Sequence, residues 1–246
     1  MLGYLRLELR RMFRDRRFVF FTIAVPVGFY LLWSNTFGGA DAEPSTGLPA
    51  QVHLMVSMAA FGAIGAALTT TGPRLAAELQ SGWLRQLQAT PLPRRTVIFT
   101  KIFASMVLAL PPLVLVSLVA ALTQDVRLPA AEWIGMIALM WLATLPFAAL
   151  GTIIGSLAGG DASQPVTVGT YLTLSALGGL WMPLDELPGG LRAVAHWLPS
   201  SRFAQIGWDV VGGHAPAAAV GLVLAGWTLA LGGGAVAAYR RATLSA

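Results

Sequence analysis

The sequence contains no cysteine, which excludes disulfide bonds, thiolate metal sites and cysteine nucleophiles. Charged residues make up only 11% of the 246 positions, whereas a soluble globular domain carries about 25%. So few charges could not cover the surface of a water-soluble protein of this length. The hydrophobic residues, 56% of the chain, are gathered into long runs. This pattern predicts an integral membrane protein.

Motifs for chemistry at a phosphate, a metal ion or an activated serine are also missing. The chain has no G-x-x-x-x-G-K-[ST] loop, no H-E-x-x-H pair and no G-x-S-x-G turn. Its three histidines, His53, His196 and His214, lack ligand-like spacing, so no metal site is predicted. The basic residues form separate short segments instead of one continuous face, and nucleic-acid binding is therefore not predicted.

Six stretches of the chain are long and apolar enough to cross a bilayer, for which a helix needs about 20 residues. Prolines within them, such as Pro26 and Pro111, are tolerated because neighbouring helices satisfy the freed carbonyl groups. The predicted fold is one all-α domain over residues 1–246 with six transmembrane helices. The predicted spans are Phe18–Ser34, Val52–Thr71, Ile102–Leu122, Trp133–Leu157, Val166–Met182 and Pro216–Ala238.

The basic residues predict the orientation of this bundle. Thirteen of the sixteen lie before the first span, between the second and third spans, or after the last span. Only Arg127, Arg192 and Arg202 fall on the other side. Because cytoplasmic loops carry the excess of Lys and Arg, both termini are predicted in the cytoplasm. A cleavable signal ending near Ala40-Asp41-Ala42 is the competing interpretation, and its apolar run is longer than such signals usually have.

Charged residues are absent from the interiors of the predicted spans, where Lys101 and Glu132 lie only at the edges. A proton-coupled transporter generally needs an ionisable relay inside the membrane. This absence argues against a self-powered secondary transporter. Energy for any transport against a gradient would therefore come from a partner.

Two cytoplasmic segments have an apolar and a polar side. Residues 1–17 place Leu5, Leu9 and Met12 in one sector flanked by arginines, which predicts an interfacial helix, with a purely topogenic role as the alternative. Residues 72–95 predict a second short helix, interrupted at Gly82, with one face on the bundle and the other toward a partner. Its apolar stripe is Leu75, Leu79, Trp83 and Leu87, and its polar stripe is Arg74, Glu78, Ser81 and Arg85.

Two patterns concern the opposite side and the packing of the bundle. In residues 183–215, apolar residues between Leu187 and Leu198 recur at spacings of four and three, which predicts a re-entrant or amphipathic helix bracketed by Pro188 and Pro199. At the end of the fourth span, Gly151, Gly155 and Gly159 share one face. Small residues at this spacing allow close helix packing, either inside one subunit or between two subunits.

Three features in a fixed order connect the chain to a known family. They are Glu78-x-x-x-Gly82-x-Leu84-x-x-Leu87-x-x-Thr90-Pro91, Gly179-x-x-x-Pro183-x-x-x-Leu187-Pro188 with Pro199 downstream, and the arginine-rich helix before the first span. With the six-span plan, the chain resembles over essentially its whole length the permease subunits of type-2 ABC exporters, which include drug, polysaccharide and lipid exporters.

The resemblance implies a permease subunit of an ATP-driven exporter, which works with a separate ABC ATP-binding subunit and a second permease copy or a related permease. ATP and Mg²⁺ would bind to the partner, so the chain itself would carry no cofactor and no enzymatic activity. The implied partner-interface residues of the coupling helix are Glu78, Gly82, Leu84, Arg85 and Leu87. The family usually has a small residue after the motif glycine and often an acidic one two positions later, where this chain has Trp83 and Arg85.

Two alternatives stay open at the level of sequence. One is a self-contained secondary transporter or channel, and the other is a membrane anchor or assembly factor that transports nothing. The predicted spans offer many hydroxyl groups but no charged anchor, which favours a hydrophobic or amphiphilic solute over an ion.

Overall fold

The structure is a computed structural model that describes residues 2–37, 46–82, 94–182 and 188–244. These residues form helices joined by turns and short connections, and no strand occurs among them. The all-α prediction is therefore confirmed for the described chain. The helices are α1 (Leu2–Arg14), α2 (Arg16–Phe37), α3 (Ala50–Gln80), α4 (Arg94–Thr123), α5 (Ala130–Leu142), α6 (Leu145–Leu157), α7 (Gly160–Leu177), α8 (Gly189–Ala195), α9 (Pro199–Val211) and α10 (Ala218–Leu244).

Four helical segments of the described residues are long and apolar enough to cross a membrane. They make the chain a multi-pass membrane protein. The other two predicted spans correspond to α2 and α7, which are not among these four segments. Length and apolar composition therefore support four of the six predicted spans. The four segments are Ala50–Gln80, Thr96–Thr123, Ala130–Leu157 (α5 and α6 together) and Ala218–Ala242.

Helix α3 is the centre of the bundle and packs against α2, α4, α6, α7 and α9. Its middle is buried on all sides and carries small side chains such as Ala59, Ala63 and Ala67. Small residues allow neighbouring backbones to approach closely in a helical membrane protein. At Gly62, for example, an added Cβ would lie 2.6 Å from Pro112 and 2.9 Å from Pro26. The small residues of α3 therefore explain why five helices can surround it.

Contacts between residues of α3 and residues of its neighbours show whether each neighbour runs parallel or antiparallel to α3. The beginnings of α2, α4 and α7 lie beside the last turns of α3, so these three helices run antiparallel to it. We call this end of the bundle, which also holds α1, the α1 end. The opposite end holds the first turns of α3 together with α9, and we call it the α9 end. The pairs at the α1 end are Asp15–Arg74, Lys101–Glu78 and Gly160–Gln80.

The glycine face at the end of α6 packs inside the chain. A Cβ added at Gly155 would collide with the carbonyl oxygen of Gly72, and one added at Gly151 would collide with the Thr71 side chain. Both glycines therefore serve close packing of α6 on α3, which was one of the two interpretations left open. Gly159 lies beyond the end of α6, and an added Cβ there would meet open space.

The segment after α7 differs from the sequence prediction. Helix α7 ends at Leu177, earlier than Met182, because Gly178 and Gly179 form a turn in which Gly179 has φ +77°. The predicted amphipathic helix reduces to the short α8. Pro199 begins α9 instead of closing the segment, since proline is well suited to the first turn of a helix. Leu187 lies outside the described residues, and the predicted re-entrant path is not confirmed.

Candidate functional site

The segment expected to contact a partner begins inside α3. The helix continues past Thr71, the predicted end of the span, through Gly72 and Pro73 to Gln80. Gly82 follows in a turn with φ +70°, a conformation that residues other than glycine rarely adopt. Of the predicted interface residues, Glu78 and Gly82 are thus placed at the end of α3. Leu84, Arg85 and Leu87 lie outside the described residues.

The apolar side of this segment rests on the bundle. Leu75 is buried and packs with Val97 and Ile98 of α4 and with Tyr239 of α10, and Leu79 packs against the same cluster. These contacts extend the core beyond the predicted end of the span. They explain why α3 stays helical to Gln80, because helix stability in proteins comes mainly from packing an apolar face.

Three charged side chains from three helices meet beside this core. The ammonium group of Lys101 in α4 lies 3.1 Å from Glu8 Oε1 of α1 and also pairs with Glu78 Oε2 of α3. The exposed fractions of the side chains are 5% for Lys101, 4% for Glu8 and 15% for Glu78. Buried charges are costly unless they are paired, and the ammonium can donate to both carboxylates. These residues, which we call the ion cluster, therefore hold α1, α3 and α4 together.

A cleft of about 480 Å³ borders the ion cluster. On its wall, Arg74 of α3 pairs with Asp15, between α1 and α2, at 3.6 Å. This pair is more exposed than the ion cluster, so it contributes less to stability. The cleft is charged in both signs, since Arg11 and Arg14 also line it beside Glu8.

Helix α1 joins the bundle through its apolar side as well. Met12 is buried against Ala104 and Leu108 of α4, and Leu5 and Leu9 pack against the same cluster. The apolar stripe predicted from the sequence therefore contacts protein. Together with Glu8, it makes α1 part of the same unit as the end of α3.

Sequence reasoning missed the ion cluster. It placed Lys101 at the edge of a span and Glu78 on a partner-facing stripe, and it did not single out Glu8. Two signals were present: Lys101 is the chain's only lysine and lies within an apolar run, and Glu8 is the only acidic residue among the arginines of α1. A buried charge next to apolar residues indicates a partner, although the sequence does not say which one.

A groove of about 340 Å³ runs between α2, α3 and α7. It extends from Asp15 and Arg74 at the α1 end, past the hydroxyl groups of Thr22 and Thr69, to Tyr171. Its polar groups are neutral once it leaves the α1 end. The groove is therefore a candidate path for a solute that carries no strong charge.

Stacked aromatic rings lie at the deep end of this groove. The ring of Tyr171 stacks on Phe61 with centroids 4.6 Å apart, and Phe61 contacts Trp181 at 5.6 Å and Phe29 at 6.2 Å. These four residues form what we call the aromatic cluster. The rings come from α2, α3, α7 and the turn after α7. A relative movement of those helices would therefore change how far the aromatic cluster closes the end of the groove.

Comparison with known proteins agrees with this architecture. A sequence model of the family described as "ABC-2 type transporter" matches residues 4–206, a range that contains the ion cluster, the groove and the aromatic cluster. A protein of Bacillus subtilis (strain 168) with the name "Putative transport permease YvfS" is 29% identical over 215 residues, which cover 85% of this chain and 84% of that protein. The match over most of the chain, together with four helical segments long and apolar enough to cross a membrane, shows that this protein belongs to the ABC-2 type transporter family of membrane permeases.

Proposed function

We propose that the chain is the permease subunit of an ATP-driven exporter in the cytoplasmic membrane, energised by a separate ABC ATP-binding subunit. The observation that carries this proposal is the ion cluster at the base of the connection between α3 and α4. The cluster fixes Glu78, the first residue of the coupling segment (residues 78–87), to two other helices. No phosphate loop occurs in the sequence, so the ATP site would have to be on the partner.

In this mechanism, the partner pushes on the coupling segment when its ATP-bound form closes. Because Lys101 connects Glu78 to Glu8, a push on the end of α3 would move α1 and α4 with it. Helix α3 contacts five neighbouring helices and is about 46 Å long. A small tilt of α3 would therefore displace its neighbours at both ends of the bundle. ATP can drive this change only if the partner binds the two states of the permease differently.

The same proposal includes six membrane-spanning helices, with both termini of the chain in the cytoplasm. Helix α2 is about 33 Å long and α7 about 27 Å, and both run antiparallel to α3 within the bundle. Segments of this length match the hydrocarbon thickness of about 30 Å. The thirteen-to-three distribution of basic residues supports the α1 end as the cytoplasmic end.

The groove supports an uncharged or amphiphilic substrate and a second permease. It lies against α2, whose residues Phe20, Val25, Leu32 and Phe37 are exposed apolar side chains. A second copy of the chain, or a related permease, would cover this side and complete the path. The aromatic cluster would close the path until the helices move.

The ion cluster also favours a second candidate, a secondary transporter. The sequence placed Lys101 only at the edge of a span and indicated no buried relay, whereas Lys101 and Glu8 are both buried. Buried ionisable groups of this kind serve as proton-exchange sites in some transporters. The cluster lies at one end of the bundle, however, and the deeper part of the groove carries no charged side chain. This position fits a structural connection better than a proton relay.

The test is purification of the tagged chain from its native membrane. We expect a soluble ATPase with a phosphate loop to co-purify in equal amounts. Arg85→Glu and Leu87→Asp, which leave the ion cluster intact, should release it. The control is Arg127→Glu, an equal charge change at the α9 end, which should retain it. If the chain instead purifies alone and transports in liposomes under a pH gradient without ATP, the secondary transporter is the correct function.

A further inference from the structure

A third cavity, of about 460 Å³, lies at the α9 end. It is formed by the first turn of α3, one face of α9 and the turns that follow α7 and α9. None of the residues that line this cavity also lines the groove between α2, α3 and α7, so the cavity and the groove are separate. Most of the length of α3, from His53 to Glu78, lies between this cavity and the ion cluster.

One wall of this cavity is held in place by aromatic stacking and hydrogen bonds. The rings of His53 in α3 and Trp208 in α9 stack with centroids 4.5 Å apart and an interplanar angle of 16°. Trp208 Nε1–H donates to the carbonyl oxygen of His53 at 3.3 Å, and His53 Nδ1 lies 3.2 Å from Thr46 Oγ1. A wall fixed in this way is typical of a pre-formed ligand site.

Arg202 brings a positive charge to the cavity without a full set of acceptors. Its Nη1–H donates to Gln205 Oε1 at 2.6 Å, but its Nε–H is buried and has no hydrogen-bond partner. Within the part of the chain that the structure describes, no carboxylate lies within 4 Å of this guanidinium. Gln205 is the only acceptor that the described residues supply to this guanidinium, which lines the cavity, and a planar guanidinium matches a carboxylate or phosphate group. The cavity therefore offers a place for an anionic group.

Asp209 gives the same cavity an acidic end. It lies two helical turns after Arg202, about 10 Å farther along α9 and on the same face. Burial raises the pKa of Asp209, against the opposing effects of the Ala217 backbone N–H, His214 and Arg202. A carboxylate in such a position is stabilised by a positively charged neighbour. The cavity thus has a cationic end and an acidic end separated by the length of a small molecule.

We propose that this cavity binds a small zwitterion, with a phosphate or carboxylate group at Arg202, an amino group at Asp209 and the connecting atoms against Trp208. Such a molecule reaches the site as a free solute or as the headgroup of a phospholipid with a primary amine, the group that phosphatidylcholine lacks. A metal ion fits the site less well, because the described residues contain no group of three or more metal-ligating side chains. This site is independent of the proposed coupling to an ATPase.

Calorimetric titration of the purified full-length chain in detergent tests the proposal, with O-phosphoethanolamine and inorganic phosphate as probes. We expect saturable binding of phosphoethanolamine that is tighter than that of phosphate. Arg202→Gln should weaken it about tenfold or more, since it removes charge-assisted hydrogen bonds, and Arg202→Lys should weaken it less. Asp209→Asn should remove the preference for phosphoethanolamine over phosphate.

The matched control is Arg127→Gln, the same charge change in the exposed connection between α4 and α5 at this end of the bundle. Equal binding losses in Arg202→Gln and Arg127→Gln would overturn the proposal, as would the absence of saturable binding in both detergent and nanodiscs. If Arg202→Gln does not fold, unchanged selectivity in Asp209→Asn is the overturning result. The assay involves no ATPase and no transport, so its failure leaves the proposed function intact.

A second arm of the experiment identifies the source of the zwitterion. The soluble probe is titrated into nanodiscs of phosphatidylcholine alone and into nanodiscs that also contain phosphatidylethanolamine. Weaker binding of the probe when phosphatidylethanolamine is present assigns the site to the lipid headgroup, since the two compete. Equal binding in both assigns it to a free solute. Either result requires that Arg202→Gln lowers the affinity.

Discussion

The two ends of the bundle differ in whether their buried or partly buried charged side chains have partners of opposite charge within the protein. At the α1 end, Lys101 is buried between two carboxylates from other helices, and the charges serve contacts between helices. At the α9 end, Arg202 lines an open cavity and has no carboxylate partner among the described residues. Burying a charge is costly at either end. At the α1 end, protein partners offset this cost. At the α9 end, a bound ligand would offset it.

This difference separates a structural role from a binding role. Both carboxylates of the ion cluster pair with Lys101 without any ligand, although Glu8 Oε2 has no hydrogen-bond partner among the described residues. The cluster therefore suits the transmission of a movement from the coupling segment. The cavity at the α9 end gains an ion pair only when a ligand supplies an anionic group to Arg202. Substitutions at the two ends should therefore differ in their effect on the stability of the free protein.

The largest effect is expected from Lys101→Met, which leaves Glu8 and Glu78 buried without their shared cation. Removing one partner of a buried ion pair costs about 3–5 kcal/mol, which corresponds to a fall of roughly 10 °C in melting temperature. Thermal unfolding of the detergent-solubilised protein followed by size-exclusion chromatography measures it. Adding Glu8→Gln and Glu78→Gln should restore most of the loss. An unchanged melting temperature would show that the ion cluster does not hold α1, α3 and α4 together.

A medium effect is expected from alanine at a close helix contact, and it should be larger at the α1 end. The new Cβ of Gly155→Ala would meet the backbone carbonyl of Gly72, which cannot yield without moving α3 or α6. The new Cβ of Gly207→Ala would meet the ends of the Val56 and Met140 side chains at 2.5 and 2.7 Å, and methionine adjusts easily.

Overpacking of this kind costs about 1–3 kcal/mol, so we expect Gly155→Ala near the top of that range and Gly207→Ala near the bottom. Melting temperatures of the two variants, measured side by side in one detergent, compare them directly. The reverse order would mean that the α1 end adapts more easily than the α9 end, contrary to its role as a rigid connection.

The smallest effect is expected from Asp209→Asn, and it should depend on pH. Burial raises the pKa of Asp209 in the folded chain, so the folded state holds its proton to a higher pH than the unfolded state does. Stability is therefore lost as the pH rises from the unfolded pKa through the folded pKa. The asparagine variant avoids this loss, and its melting temperature should exceed that of the parent slightly at neutral pH.

The measurement is the difference in melting temperature between variant and parent across a pH series from acid to neutral. The difference should grow with pH and shrink when phosphoethanolamine is added, because a bound amino group would compensate the carboxylate in the parent. A difference that is constant across the series would mean that Asp209 ionises without cost.

Much of this protein follows from its sequence alone. The all-α membrane fold, the approximate positions of the apolar helices and the family could be predicted, because apolar runs and short motifs are local properties of the chain. Helix α9 was not predicted. The end of α3 was placed too early, at Thr71, since the residues after it were assigned to a separate short helix with its polar side toward a partner. The contacts of Leu75 and Glu78 with α4 carry the helix further.

Tertiary structure alone decided which charges are paired. Glu8 and Lys101 are 93 residues apart, and a sequence contains no periodicity that connects two such positions. The same holds for Gly151 and Gly155, whose use inside the chain became clear only from the contact of α6 with α3. Sequence determines which segments enter the membrane, because transfer from water depends on each segment's own composition. Folding determines which buried charge has a partner and which awaits a ligand, because that depends on the helices that surround it.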